Sequence, residues 1–160
     1  MDSENASGKK PSIRRAAEAR RSASLMRRVL LGLKARMDDE LRSKHLTSAQ
    51  WRFLTELKER PGSSGAQMAR ACHVTPQSAQ AMMARAVKHG WVVRGKSPES
   101  DRVVTARLTP AGERLLAYAD GILARLEAEV WVGVGLAEMH ALNATLERGL
   151  ANLEDAAPAE

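Results

Sequence analysis

Four polar side chains crowd one short stretch of the chain: Thr75, Gln77, Ser78 and Gln80. A glutamine amide carries a donor and an acceptor side by side, which matches the edge of adenine, and a serine hydroxyl bonds bases or phosphates. Each of these residues also has a plainer role as a helix cap or part of a solvated face. For Thr75 the cap role is the expected one, and it leaves a nucleic-acid contact open. A second group follows in the loop Arg94-Gly95-Lys96-Ser97-Pro98-Glu99-Ser100-Asp101-Arg102. A planar guanidinium suits a narrow, electronegative minor groove. Asp101 either pairs with an arginine and fixes its direction, or is an exposed turn residue.

These groups need elements to hold them. Ser64-Gly65-Ala66-Gln67 fits a capping box and opens a short helix with Met68, Ala69 and Cys72 on its inner side. His73-Val74 is a tight connection. Thr75-Pro76 opens the next helix with a hydroxyl cap and a proline at the first helical position. Ala79, Met82, Met83, Ala86 and Val87 give that helix its buried side, and Gly90 ends it. Trp91-Val92-Val93 and Val103–Leu108 are β-prone runs on either side of a turn-rich loop, Gly95–Ser100, which together predict a hairpin. Two helices joined tightly and followed by a hairpin form a helix-turn-helix with a wing. Its second helix enters a major groove N-terminus first.

Longer helices flank this unit. Residues 12–45 carry an apolar stripe at Met26, Leu30, Leu33, Met37 and Leu41. Thr47 to Gln50 is another capping box, followed by Trp51, Leu54 and Leu57 on one face. Thr109-Pro110 starts a helix with Leu115, Ala119, Ile122, Leu126 and Val130. After Gly133 and Gly135 comes a last stripe at Leu136, Met139, Leu142, Leu146, Leu150 and Leu153. Stripes this long at both ends of a small chain predict a partner helix. Burial at about 25 cal/mol per Å² favours association with a twin, which sets two reading helices about one DNA turn apart. The fold class is therefore mainly α with a small β-hairpin wing, a winged helix-turn-helix flanked by dimerisation helices. The expected organisation is a disordered basic tail (1–11), an N-terminal helix (12–45), a DNA-binding lobe (46–108), C-terminal dimerisation helices (109–154) and a frayed tail (155–160).

Charge supports that division. The 160 residues carry a net +6, distributed as +6 over residues 1–45, +6 over 46–108 and −6 over 109–160. A basic middle suits a polyanion, with double-stranded DNA first and a membrane surface well behind it. No apolar run approaches the length of a membrane span, and one cysteine excludes an intrachain disulfide, so a cytoplasmic protein is expected. His45, His73, His89 and His140 lack metal-ligand spacing, and no nucleophile, phosphate-loop or zinc-protease motif occurs, so neither metal, cofactor nor enzyme activity is expected.

The chain resembles the MarR family, the winged helix-turn-helix regulators of multiple antibiotic resistance, from about residue 20 to residue 154. The carrying residues are Leu46-Thr47 with Gln50-Trp51 and Leu54, Val74-Thr75-Pro76-Gln77-Ser78, Gly90-Trp91-Val92-Val93-Arg94, Asp101-Arg102, and Leu108-Thr109-Pro110-Ala111-Gly112. The resemblance implies a homodimer on a palindromic operator, usually a repressor, with Arg102 in the minor groove and Asp101 orienting it. Val103 stands where the family often has a second arginine, so Arg94, Lys96 or Arg107 would compensate. No arginine lies between Thr75 and Ala84, so direct base readout is expected to be modest.

The resemblance also implies a pocket for a small phenol, aromatic carboxylate or lipophilic molecule beside the dimerisation helices. Trp51 would stack on the ring, Met26, Leu30 and Tyr118 would line it, and His45 or Arg27 would supply a polar contact; each also has an ordinary core or surface role. Such a ligand would act by population shift. Two other readings stand beside this one: a redox sensor acting through Cys72, and a winged scaffold that binds protein.

Overall fold

In a computed structural model the backbone is described for residues 13–97 and 100–155, and the side chains for the same residues except 96–104. The element order is α1 (Ile13–Leu41), a 3-10 turn (Arg42–Lys44), α2 (Ser48–Glu59), α3 (Gly65–Ala71), α4 (Pro76–Lys88), β1 (Val92–Ser97), β2 (Ser100–Leu108), α5 (Pro110–Val130) and α6 (Leu136–Asp155). The chain divides into two compact units, Met1–Leu126 and Glu127–Glu160.

Three helix ends in the first unit share one device. At His45, His73 and Gly90 the backbone turns left-handed, with φ of 56°, 52° and 70°. In each case the next residue donates back five positions: Leu46 to Leu41, Val74 to Ala69 and Trp91 to Ala86. These are Schellman closures, with the residue after the turn apolar and directed into the core. Leu46 and Trp91 are buried and Val74 packs against the same core. The ends of the helices thus set the directions in which α2, α4 and β1 leave.

The core gathers Met37 and Leu41 from α1, Phe53, Leu54 and Leu57 from α2, Met68 and Ala69 from α3, Ala79, Met83 and Ala86 from α4, and Leu116, Ala119, Ile122 and Leu126 from α5. Each fully buried leucine contributes about 1.5–3 kcal/mol. Asp38 of α1 accepts the Ser48 N–H at the start of α2 (2.6 Å), and Arg125 of α5 pairs with Glu40 of α1.

Several expectations shift. Phe53 takes the buried place beside Leu54 and Leu57, while Trp51 is half-buried, because its indole N–H is held at the surface by Asp120 (2.7 Å). On α5 the inward row runs through Leu116 rather than Leu115, one residue on from the expected start of the stripe. Val87 is exposed, since α4 turns only Ala79, Met83 and Ala86 fully inward. The expected turn loop Gly95–Ser100 is strand up to Ser97 and again from Ser100: antiparallel pairing from Val92↔Leu108 to Lys96↔Val104 continues past Gly95, ending in a register irregularity at Lys96/Ser97. Residues 1–12, Pro98, Glu99 and 156–160 lie outside the described residues, and with them the expected tails, except for Asp155, which is the last residue of α6.

In the second unit, Gly133 adopts φ 81° and Glu138 accepts the Gly135 N–H (2.9 Å), closing the first turn of α6. No residue of α6 is buried. On α1, likewise, only Met37 and Leu41 are buried; Met26 and Leu30 of the same stripe are 43% and 67% exposed.

Candidate nucleic-acid interface

The two capping devices that bracket the helix-turn-helix form as the residue types demand. Ser64 and Gln67 exchange side-chain and backbone bonds at the start of α3. Thr75 accepts the Ser78 N–H (3.1 Å), with Pro76 next in line. The Thr75 hydroxyl also donates to the Ser78 hydroxyl (2.9 Å), which fixes both side chains at the mouth of α4. The first turn of α4 has no acidic residue, and its last turn carries Arg85 and Lys88. The positive N-terminal end of the helix is therefore left open to an anion.

The face that α4 keeps from the core is the one singled out by the sequence. Thr75, Gln77, Ser78 and Gln80 are all exposed, while Ala79 between them is fully buried. The hairpin root stands close to this face. Gln80, Met83 and Ala84 of α4 line a cleft of about 440 Å³ together with Arg94 of β1, Thr105 and Ala106 of β2, and Gly65 of α3. Gln80 and Arg94 thus border one space between the helix and the wing. Arg107 pairs across the hairpin with Val93, and both are exposed. Lys96, Asp101 and Arg102 fall on the two strands, but their side chains lie outside those described.

Two fixings hold α4 at its far end, and neither was read from the sequence. Arg85 donates to the carbonyl oxygen of His45 (3.0 Å), tying the helix to the joint between α1 and α2. The rings of His45, His89 and Trp91 form a ladder, with centroids 5.8 Å and 4.6 Å apart. Contacts across 40 residues of sequence leave no local signal. The wing is anchored separately: Ala106 accepts the Gly62 N–H (3.0 Å), Trp91 accepts the Thr109 N–H (2.9 Å), and Thr109 donates its hydroxyl to Gly90 (2.7 Å).

Neither the cleft between α4 and the wing nor a second one, lined by Thr47, Ala49 and Gln50 at the start of α2 and by Ala81, Met82 and Arg85 of α4, includes the residues expected around an effector, Met26, Arg27, Leu30, His45, Trp51 and Tyr118. Trp51 is bonded to Asp120, His45 is stacked on His89, and the Lys44 ammonium sits 5.5 Å from the Tyr118 ring centre. Cys72 is buried on the inner side of α3. Burial first, and then the nearby Glu56 carboxylate, push its thiol up, which disfavours the reactive thiolate. Among the described residues no cluster of ligating side chains has the makings of a metal site.

Residues 46–102 match the MarR family model. The HTH-type transcriptional repressor Rv2887 of Mycobacterium tuberculosis and Mb2911 of Mycobacterium bovis are each 33% identical over 85 residues, 53% of this chain and 61% of the relative. The chain thus aligns with about three-fifths of the length of the curated relatives it matches. Among solved structures, the reduced form of MarR from E. coli aligns with a TM-score of 0.72 at 21% identity, covering 80% of this chain and 95% of that one. The S. aureus MepR–DNA complex aligns with a TM-score of 0.70 at 19% identity, covering 81% and 96%. At those identities the likeness is one of fold. The winged-helix lobe, residues 46–102, is thus similar to the MarR family, and the fold is shared with solved MarR structures well beyond that lobe.

Proposed function

We propose that this protein is a homodimeric, sequence-specific DNA-binding transcriptional regulator that acts as a repressor. One observation carries the reading: the exposed row Thr75, Gln77, Ser78 and Gln80 opens a helix whose opposite face is buried, with Arg94 at the wing root beside it. In this reading α4 enters the major groove. Gln77 and Gln80 meet base edges, Thr75 and Ser78 meet phosphate or base, and the wing reaches the neighbouring minor groove through Arg102, oriented by Asp101, with Arg94 and Lys96 on the backbone. The relatives named as transcriptional repressors, and the neighbour solved with DNA, support it.

The dimer follows from apolar surface. Leu25, Met26, Val29, Leu30 and Leu31 on α1 and Leu150 and Leu153 on α6 are exposed in a single copy. A twin that covers them presents two reading helices to the two halves of a palindromic operator. Release by a small aromatic or lipophilic effector is the form of control that accompanies this assignment. The reading with Cys72 as a redox sensor is weaker, because the thiol is buried and held protonated.

The test is a gel shift with the promoter region of the protein's own gene over a series of salt concentrations. Specific retardation with a steep loss of affinity as salt rises is expected. Arg102→Ala should weaken that binding and leave the dimer intact. Absence of any duplex binding would favour the protein-binding scaffold. A thermal-shift screen with small aromatic acids and phenols, followed by operator release, tests the effector.

A further inference from the structure

The two ends of the chain carry opposite charge on helices that leave apolar side chains exposed, Met26 and Leu30 on α1 and Leu146, Leu150 and Leu153 on α6. Between Ile13 and Arg28, α1 has Arg14, Arg15, Arg20, Arg21, Arg27 and Arg28 against Glu18 alone. From Glu127 to Asp155 the acids are Glu127, Glu129, Glu138, Glu147, Glu154 and Asp155 against Arg148 alone. Arg20 and Arg27 are exposed and make no ion pair among the described residues, and the same holds for Glu147 and Glu154.

The spacing is matched. Arg20 and Arg27 are seven residues apart, as are Glu147 and Glu154. At 1.5 Å per residue both separations are about 10.5 Å. At 100° per residue, Arg20 and Arg27 lie roughly 90–110° past the middle of the stripe formed by Met26, Leu30, Leu33 and Met37. Glu147 and Glu154 lie roughly 65–90° past the middle of the stripe formed by Leu136, Met139, Leu142, Leu146, Leu150 and Leu153, in the same rotational sense. When two such helices meet stripe to stripe, rows displaced in the same sense fall on one flank only if the helices run antiparallel. In a parallel pair they fall on opposite flanks. Charges that flank an apolar seam set partner choice and orientation.

We propose that, in the dimer of the preceding section and resting on that reading, α1 of one copy packs antiparallel on α6 of the second copy, with Arg20 against Glu154 and Arg27 against Glu147. The apolar stripes supply adhesion, and the two ion pairs select direction and register. A second copy is the partner because each copy carries both halves, the basic row and the acidic row at equal spacing. Two copies therefore close two such clasps, as a two-fold axis requires.

The experiment uses the full-length protein and three charge-reversed forms: Arg20→Glu with Arg27→Glu, Glu147→Arg with Glu154→Arg, and all four changes in one chain. Circular dichroism confirms that each folds, and sedimentation velocity at about 50 mM salt reads the dimer constant. Each two-residue form alone should dimerise at least roughly tenfold more weakly than the unaltered protein, since attraction becomes repulsion at every clasp. An equimolar mixture of the two forms, and the four-change form alone, should recover the lost affinity. Two-residue forms that dimerise as well as the unaltered protein, or a four-change form that does not recover, overturn the clasp while the dimer stands. An unaltered protein that sediments as a monomer at tens of micromolar overturns the dimer itself. Loss of DNA affinity in the Arg20/Arg27 form at unchanged dimer constant assigns the basic row to nucleic acid and also overturns the clasp.

Discussion

The α carbon of Gly112 is pressed against the carbonyl oxygen of Trp91: a Cβ built on Gly112 would lie 2.1 Å from that oxygen. The same oxygen accepts the Thr109 N–H, and the Thr109 hydroxyl in turn accepts the Gly112 N–H at 3.1 Å. The first turn of α5 is therefore clamped to the start of the wing, and the close approach exists because residue 112 has no side chain. Gly112→Ala must push backbone from backbone. We expect a loss of about 1–3 kcal/mol, the usual cost of overpacking. The measurement is the urea midpoint at unchanged slope. A midpoint equal to that of the parent would show that the clamp has slack.

His73 closes the turn of the helix-turn-helix at φ 52°. A left-handed conformation costs an ordinary residue roughly 1–2 kcal/mol, histidine is among the types that tolerate it, and a β-branched residue tolerates it least. His73 is exposed, so its ring contributes little packing. His73→Gly should leave stability within about 0.5 kcal/mol of the parent, because relief of the strained φ offsets the extra freedom gained by the unfolded chain. His73→Val should lose more than about 1 kcal/mol. Equal midpoints for the two variants in thermal unfolding would remove the argument.

Much of this arrangement was legible in the residues. The caps at Thr47, Ser64 and Thr75 involve partners three residues away, and the apolar periods of α3 and α4 are local. The turn at Gly90 needed a residue that accepts positive φ, and glycine announces that need. The turns at His45 and His73 gave no such notice, since histidine is only permissive there. The buried row of α5 was misjudged by one residue because Leu115 and Leu116 are adjacent, and periodicity cannot choose between them; the core takes Leu116 and leaves Leu115 partly buried at its edge. The Arg85–His45 bond and the stacking of His45 on His89 join residues far apart in sequence, and only the fold brings them together.

Asp38 gives a prediction in pH. Partial burial works to raise its pKa, but bonds from Lys34 and from Ser48, with the Lys34 charge, outweigh it and hold the carboxyl below its ordinary value. A pKa depressed on folding contributes stability that is present above the unfolded value, about 3.9, and lost as pH falls through the folded one. Asp38→Asn should therefore cost about 1 kcal/mol near neutral pH, the usual value of a carboxylate at a helix start. The difference from the parent should shrink as pH is lowered below about 4. The check is a pair of denaturation series over pH; a gap that persists unchanged at low pH would mean that shape, not charge, makes the contact.

The two sides of the cleft between α4 and the wing should separate in their effects on operator binding. Gln80 lies on the helix that would face bases, and Arg94 stands at the hairpin root, yet both border the same space. Gln77→Ala and Gln80→Ala should each relax preference at one base position, by about 1–3 kcal/mol where the amide contact is bidentate. Neither should change the dependence of affinity on salt. Arg94→Ala removes a cation, so it should weaken binding to all sequences alike and lower the slope of log affinity against log salt by about 1. Competition with base-substituted duplexes measures the first effect and a salt titration the second. If Arg94→Ala changed base preference and left the slope untouched, the arginine would be reading sequence, and the division of roles between helix and wing would have to be reversed.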